Sequence, residues 1–232
     1  MQRRQFASAL PVLLLPFALP RARGQAGLAG ISELDASKGV RAALEKGALA
    51  AVQLLGRQDG FLGNPQVRIP LPEALQQVAG LLSTLGFRRQ LEELEVSMNR
   101  AAEAAVPMAK PLLVNAVQQM SVDDARRILG GGDTSVTDFF AQKTRQPLTE
   151  TFLPVVHQAT AKVGVVEQYE QVSRKAQGLG FYRPQDPTVD HYVTRKSLDG
   201  LFFMIGEEEK KIRRDPVGTG SALLQKVFGS LR

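Results

Sequence analysis

An all-α fold is what this sequence predicts: a single bundle of about eight to ten helices with one extended Pro-rich loop. Three observations predict it. Apolar residues recur at helical spacing along most of the chain, and alternating strand patterns are almost missing. Glycine and proline punctuate the chain at intervals suited to helix ends. No fixed-period repeat, low-complexity tract or long linker divides it, so residues 27–232 read as one domain behind a leader.

Residues 1–26 read as a signal peptide. Arg3 and Arg4 form a positive start, and the apolar run from Leu10 to Leu19 is too short to span a bilayer. Gly24-Gln25-Ala26 supplies the small residues a signal peptidase reads, which places cleavage after Ala26. Arg3-Arg4 followed by Gln5-Phe6 resembles a twin-arginine export signal; an ordinary Sec signal with two arginines accounts for the same residues. Either route leads to the periplasm. No later stretch has the length and apolarity of a membrane helix, and the missing cysteine excludes a lipobox.

The helices follow in order. Ser32 and Asp35 form a capping box ahead of Val40, Leu44, Ala48 and Val52, and that helix stops near Gly56. Pro72 suits a first helical turn, and the run through Leu75, Val78, Leu82 and Leu85 ends at Gly86, a C-terminal cap. Residues 88–105 are rich in strong helix formers, until Pro107 and Pro111 break or kink the helix. A short amphipathic helix covers 112–120. Ser121 and Asp124 make a second capping box, and their helix runs into Gly130-Gly131-Gly132. One helix is expected over 134–145 and another from Pro147 to about Gly164. The next covers 165–179. The longest runs from Val189 to Arg214, stopped by Asp215-Pro216, and a short one starts at Ser221. Between 66 and 71 the chain reads as extended, with Pro70 confining it to an edge.

Composition narrows the chemistry. There is no Cys, hence no disulfide, thiolate nucleophile or cysteine metal site. Trp is absent and aromatics are 6%, thin material for stacking bases or sugars. The formal charge of +6 owes much to Arg3, Arg4, Arg21 and Arg23; without them 25 basic residues face 23 acidic ones, a net of +2. That balance does not support a footprint for nucleic acid.

Neither histidine has a second metal ligand at helical spacing. Three and four residues away from His157 lie Leu153, Pro154, Thr160 and Ala161; from His191, Pro187, Thr188, Thr194 and Arg195. No metal or cofactor is therefore expected, and no catalytic residue is assigned. Gly130-Gly131-Gly132-Asp133-Thr134 lacks the Lys of a P-loop and reads as a helix terminator. Glu207 with Lys211, and Glu209 with Arg213, are i,i+4 pairs in the favourable order and suit a solvated helix face. The stretch from Phe61 to Pro72 stands apart: Phe61 and Leu62 beside Gly63 and Asn64, then Arg68 as a lone charge in a Pro-rich segment. Loops of such composition carry binding, which makes Phe61, Asn64 and Arg68 the candidate binding residues. The competing reading is a structural loop lying across the bundle, anchored by Phe61 and Leu62.

Several segments together resemble one family: Asp59 to Pro65, Arg68 to Pro72, Asn99 to Pro107, Gly131 to Asp133, Tyr192 to Phe202 and Glu207 to Pro216. The resemblance is to an uncharacterised family of exported proteins from Gram-negative bacteria, defined as a domain of unknown function. It implies an exported single domain and brings no reaction, ligand or site residue. The residues themselves favour a non-enzymatic periplasmic module that binds a protein or envelope component. A second reading is a carrier of an amphiphile or lipid, its cavity lined by Phe202-Phe203-Met204-Ile205. A third is a hydrolase built from Asp190, His191 and Asp199. Nothing in the sequence sets the oligomeric state.

Overall fold

The computed structural model describes residues 33–132, 135–162, 165–178 and 186–215. The leader, Ser32 and the helix expected from Ser221 lie outside the described residues. Eight α-helical segments run in order: α1 (Glu33–Leu55), α2 (Glu73–Leu82), α3 (Arg88–Ala105), α4 (Lys110–Gln118), α5 (Val122–Gly130), α6 (Ser135–Lys162), α7 (Val165–Gly178) and α8 (Val189–Arg214). No strand occurs among the described residues. The all-α expectation holds, but the expected count of helices is too high. A π-helical turn, Ser83–Phe87, joins α2 to α3, and a 3-10 turn, Val106–Ala109, joins α3 to α4, so the separate helical stretches among the described residues number six.

The reason lies in how prolines and glycines are accommodated. Gly86 adopts φ 89°, the left-handed conformation of a helix cap, and the chain kinks there between α2 and α3. Pro107 falls in the 3-10 turn and Pro111 in the first turn of α4, where a missing N–H costs least. The larger surprise is α6. The sequence predicts a stop at Arg145 and a restart at Pro147, yet one 28-residue helix passes through both Pro147 and Pro154. Each proline removes an i→i−4 bond and crowds a carbonyl one turn back. Packing outweighs that cost. Phe140, Leu148, Phe152 and Val156 are completely buried, and they pin both sides of each proline against the core. Both prolines face solvent, and the Thr149 and Thr151 hydroxyls donate to the carbonyls of Arg145 and Pro147, each at 2.8 Å.

At the centre stands α8, packed most extensively against α6 and α1. Its limits match the expected ones, with Thr188 as the N-cap, its hydroxyl accepting from the His191 N–H. Val193, Leu198, Leu201, Phe202 and Ile205 are almost wholly buried. At its C-terminal end the expected solvated face is corrected. Glu209 is buried and pairs with Arg213, whose guanidinium also donates to the Ile128 carbonyl at 2.6 Å, closing the end of α5. The outer charges pair one residue closer than expected, Glu207 with Lys210 at 2.8 Å and Glu208 with Lys211 at 2.6 Å. The capping box at Ser121 and Asp124 forms as read, each side chain bonding the other residue's backbone N–H. Burial alone would raise the Asp124 pKa, but the Ser121 hydroxyl and N–H and the Arg127 guanidinium outweigh it and hold the carboxyl below its ordinary range.

Gly200, on α8, is where the chain between α1 and α2 reaches the core. A Cβ there would stand 2.8 Å from a Phe61 ring carbon and 3.3 Å from Val67 Cβ. Phe61 has no exposed surface, so its ring has nowhere to retreat. Gly200→Ala is therefore expected to cost about 1–3 kcal/mol in urea unfolding while leaving helical circular dichroism intact. An unchanged midpoint would show that Phe61 is not locked against α8.

Candidate functional site

The loop between α1 and α2 is shaped by α3. Leu91, Leu94, Met98, Ala101, Ala102 and Ala105 give α3 a buried inner stripe whose alanines let other backbone come close. Along its edge Glu95, Asn99 and Glu103 recur at four-residue intervals and so share a face. All three hold the loop. Asn99, fully buried, accepts from the Ile69 N–H at 2.8 Å and donates to the Ile69 carbonyl at 2.8 Å; its amide also donates to the Glu95 carbonyl. Glu103 accepts from the N–H groups of Phe61 and Leu62 at 3.1 and 3.2 Å. Its other oxygen meets Arg100 at 2.6 Å, and Arg100 reaches Asp59 at 2.8 Å. Glu95 pairs with Arg68 at 2.7 Å. Buried backbone groups need partners, and here helix side chains replace a neighbouring strand. The expected extension from 66 to 71 is shortened: Gln66 and Val67 lie in a turn, the Val67 and Arg68 N–H groups donating to the Asn64 carbonyl, and the remainder, held by α3, joins no sheet among the described residues.

The three candidate binding residues thus have structural partners. Phe61 is a core side chain seated on Gly200. Asn64 stabilises the turn, its side-chain oxygen accepting from Gln66 N–H at 3.1 Å and its amide lying 3.8 Å from Met204 Sδ. Arg68 stays about half exposed while bound to Glu95. The loop joins them in sequence without converging their side chains on one point.

The hydrolase trio is not assembled. Asp190 turns to α6, where its carboxylate meets His157 Nδ1 at 2.8 Å and the Thr160 hydroxyl at 2.6 Å. His191 pairs instead with the Thr188 hydroxyl at 2.8 Å, and Asp199 pairs with Arg145 at 2.9 Å. No group of three or more His, Asp or Glu suited to a metal ion occurs among the described residues. None of their helices is long and apolar enough to cross a membrane. Phe202, Met204 and Ile205 fill the core rather than lining a cavity, and Phe203 is partly exposed.

What the sequence reading missed is a cleft of about 350 Å³ below the end of the loop. Pro70, Pro72, Glu73, Ala74 and Gln76 form one side, and Tyr169, Asp186, Tyr192, Arg195 and Lys196 the other. Tyr192, Arg195 and Lys196 share one face of α8 through i, i+3 and i+4 spacing, the signal that could have found it. The Tyr192 hydroxyl donates to the Pro70 carbonyl at 2.9 Å and lies 3.3 Å from the Leu71 carbonyl, which also accepts from Gln76 at 2.6 Å. Arg195 is held by both oxygens of Asp186, at 3.1 and 2.7 Å, and stacks over the Tyr192 ring at 5.4 Å. Lys196 makes no ion pair or hydrogen bond among the described residues.

An all-helical domain with a side-chain-pinned loop and a small cleft of mixed polar and apolar lining is the class this geometry defines. The chain belongs to the family described as a protein of unknown function (DUF4197), whose pattern matches residues 30–229. No curated protein and no solved structure matches it.

Burial raises the Tyr192 phenol from 10.0 to about 12, against the pull of the Arg195 charge. A raised folded pKa means that this contribution to stability is complete below the unfolded value of 10.0 and is lost as pH climbs through about 12. The chain has three tyrosines and no tryptophan, so tyrosinate absorbance reads this directly. A late step at about 12 is expected in the folded protein, and Tyr192→Phe should abolish it. Complete ionisation near the ordinary value in a still-folded protein would contradict the buried, hydrogen-bonded phenol.

Proposed function

We propose that this chain is an exported, non-enzymatic helical module that binds a protein or other envelope component in the periplasm. Its recognition surface is the pinned loop and the cleft beside it. The observation that carries the reading is the Asn99–Ile69 pairing with the adjoining Glu103 bonds, which hold the chain between α1 and α2 in one conformation. A loop fixed before binding loses little conformational entropy on binding, which favours recognition by a preformed surface. Arg68 at the loop surface and Lys196 in the cleft supply charge at its two edges. The leader carries the localisation. Because Phe202, Met204 and Ile205 are packed in the core, no observation favours the lipid-carrier reading.

The test combines cell fractionation with site-specific photo-crosslinking in intact cells. The mature chain should lie in the periplasm and begin at Gly27. A crosslinker at position 68 or 196 should give the same discrete adduct. One at position 211, about 22 Å along α8 from Lys196 at 1.5 Å per residue, should not. A cytoplasmic chain that keeps Met1 would overturn the export half. Equal adducts at all three positions would overturn the recognition surface.

A further inference from the structure

We infer that the cleft between the Pro70–Pro72 edge and α8 binds a small organic carboxylate with an apolar body, with Lys196 as its charge partner. The inference rests on the cleft being a recognition surface and names what that surface takes. Four charged side chains line it: Glu73, Asp186, Arg195 and Lys196. Arg195 is committed to Asp186 through a two-point fork, which spends both charges on each other. Glu73 also has an interaction. Lys196 is left, partly buried and without a partner among the described residues. Its ammonium is the one charge lining the cleft that has no partner among the described residues, so the group that would complete the cleft is negative.

The rest of the lining gives the shape of the ligand. Pro70, Pro72 and Ala74 are apolar, and the Tyr192 ring is fixed because its hydroxyl is already bound to the loop carbonyls. These walls take an apolar body by contact rather than by hydrogen bonding. The α2 N-terminus lies along the same side: its N-cap is Pro72, which has no side-chain hydrogen bond to the first turn. Glu73 in the first turn already offsets the positive end of that helix, so Lys196 is the charge a ligand meets. A volume of about 350 Å³ is at the small end of ligand pockets, enough for one ring or short chain with one charged group. Arg195, held in place by Asp186, positions the Tyr192 ring by stacking on it and so keeps the wall in register.

The measurement is a titration of the purified full chain by proton–nitrogen NMR, with phenylacetate and its neutral isostere phenylacetamide as probes. Phenylacetate should shift the amide signals of Ala74 and of residues 192–196, and leave those of residues 207–211 in place. It should bind about tenfold more tightly than phenylacetamide, the factor expected when one charge-assisted contact is gained. Lys196→Gln should bring the two probes to equal affinity without moving the amide signals of the core. If phenylacetate and phenylacetamide bind the wild type equally, or if Lys196→Gln keeps the preference, the carboxylate assignment is overturned while the cleft remains a binding surface. If neither probe shifts the cleft signals, the small-ligand site is overturned, and the crosslinks at positions 68 and 196 then decide separately whether this face recognises a larger partner.

Discussion

The structure between α1 and α2 depends on one interaction, the side chain of Asn99 bonded to both backbone polar groups of Ile69. The stretch from 56 to 72 is long for a compact domain, and its own backbone hydrogen bonds are turns that end at Arg68. Left unpaired, each buried N–H or carbonyl would cost about 1–3 kcal/mol. The Asn99 amide acts as a one-residue strand: it presents an acceptor and a donor at the spacing that an extended backbone presents. Glu103, one turn on, does the same for two N–H groups at Phe61 and Leu62, and its own burial is made tolerable by Arg100. With both in place, Phe61 can reach Gly200, Tyr192 can reach the carbonyls of Pro70 and Leu71, and the cleft acquires a fixed wall.

Local signals in the sequence were reliable where local energetics decide. The limits of α8 follow from a Thr cap at one end and Asp215-Pro216 at the other. The capping box at Ser121 and the left-handed Gly86 need only a few neighbouring residues to form. The prolines of α6 were misread for the opposite reason. Their cost is local, but the compensation comes from Phe140, Leu148, Phe152 and Val156 buried against other elements, which no window of the sequence displays. Glu209 and Arg213 show the same limit: i,i+4 spacing identifies the pair, yet not that this turn of α8 faces inward over the end of α5.

The site was legible only in outline. The unusual composition from Phe61 to Pro72 marked the loop, but its composition could not tell a side chain offered to a ligand from one consumed in holding the loop. Asn99 and Glu103 read as parts of an ordinary helix, because their partners lie 30 and 42 residues away. An Asn among alanines, with Glu four residues before and after it, was the available sign: Asn is a poor helix former and buries its amide only where something needs both its donor and its acceptor. His157 and Asp190, 33 residues apart, are likewise joined only by the packing of α6 on α8.

Amide hydrogen exchange at the loop tests the central claim most directly. If α3 holds the loop as described, the N–H groups of Phe61, Leu62 and Ile69 exchange as slowly as the core amides of α8, while the exposed Gln66 N–H, bonded only within the loop, exchanges much faster. Fast exchange at Ile69 and Phe61, matching Gln66, would mean that the loop opens independently of α3 and that the Asn99 and Glu103 bonds do not set its shape.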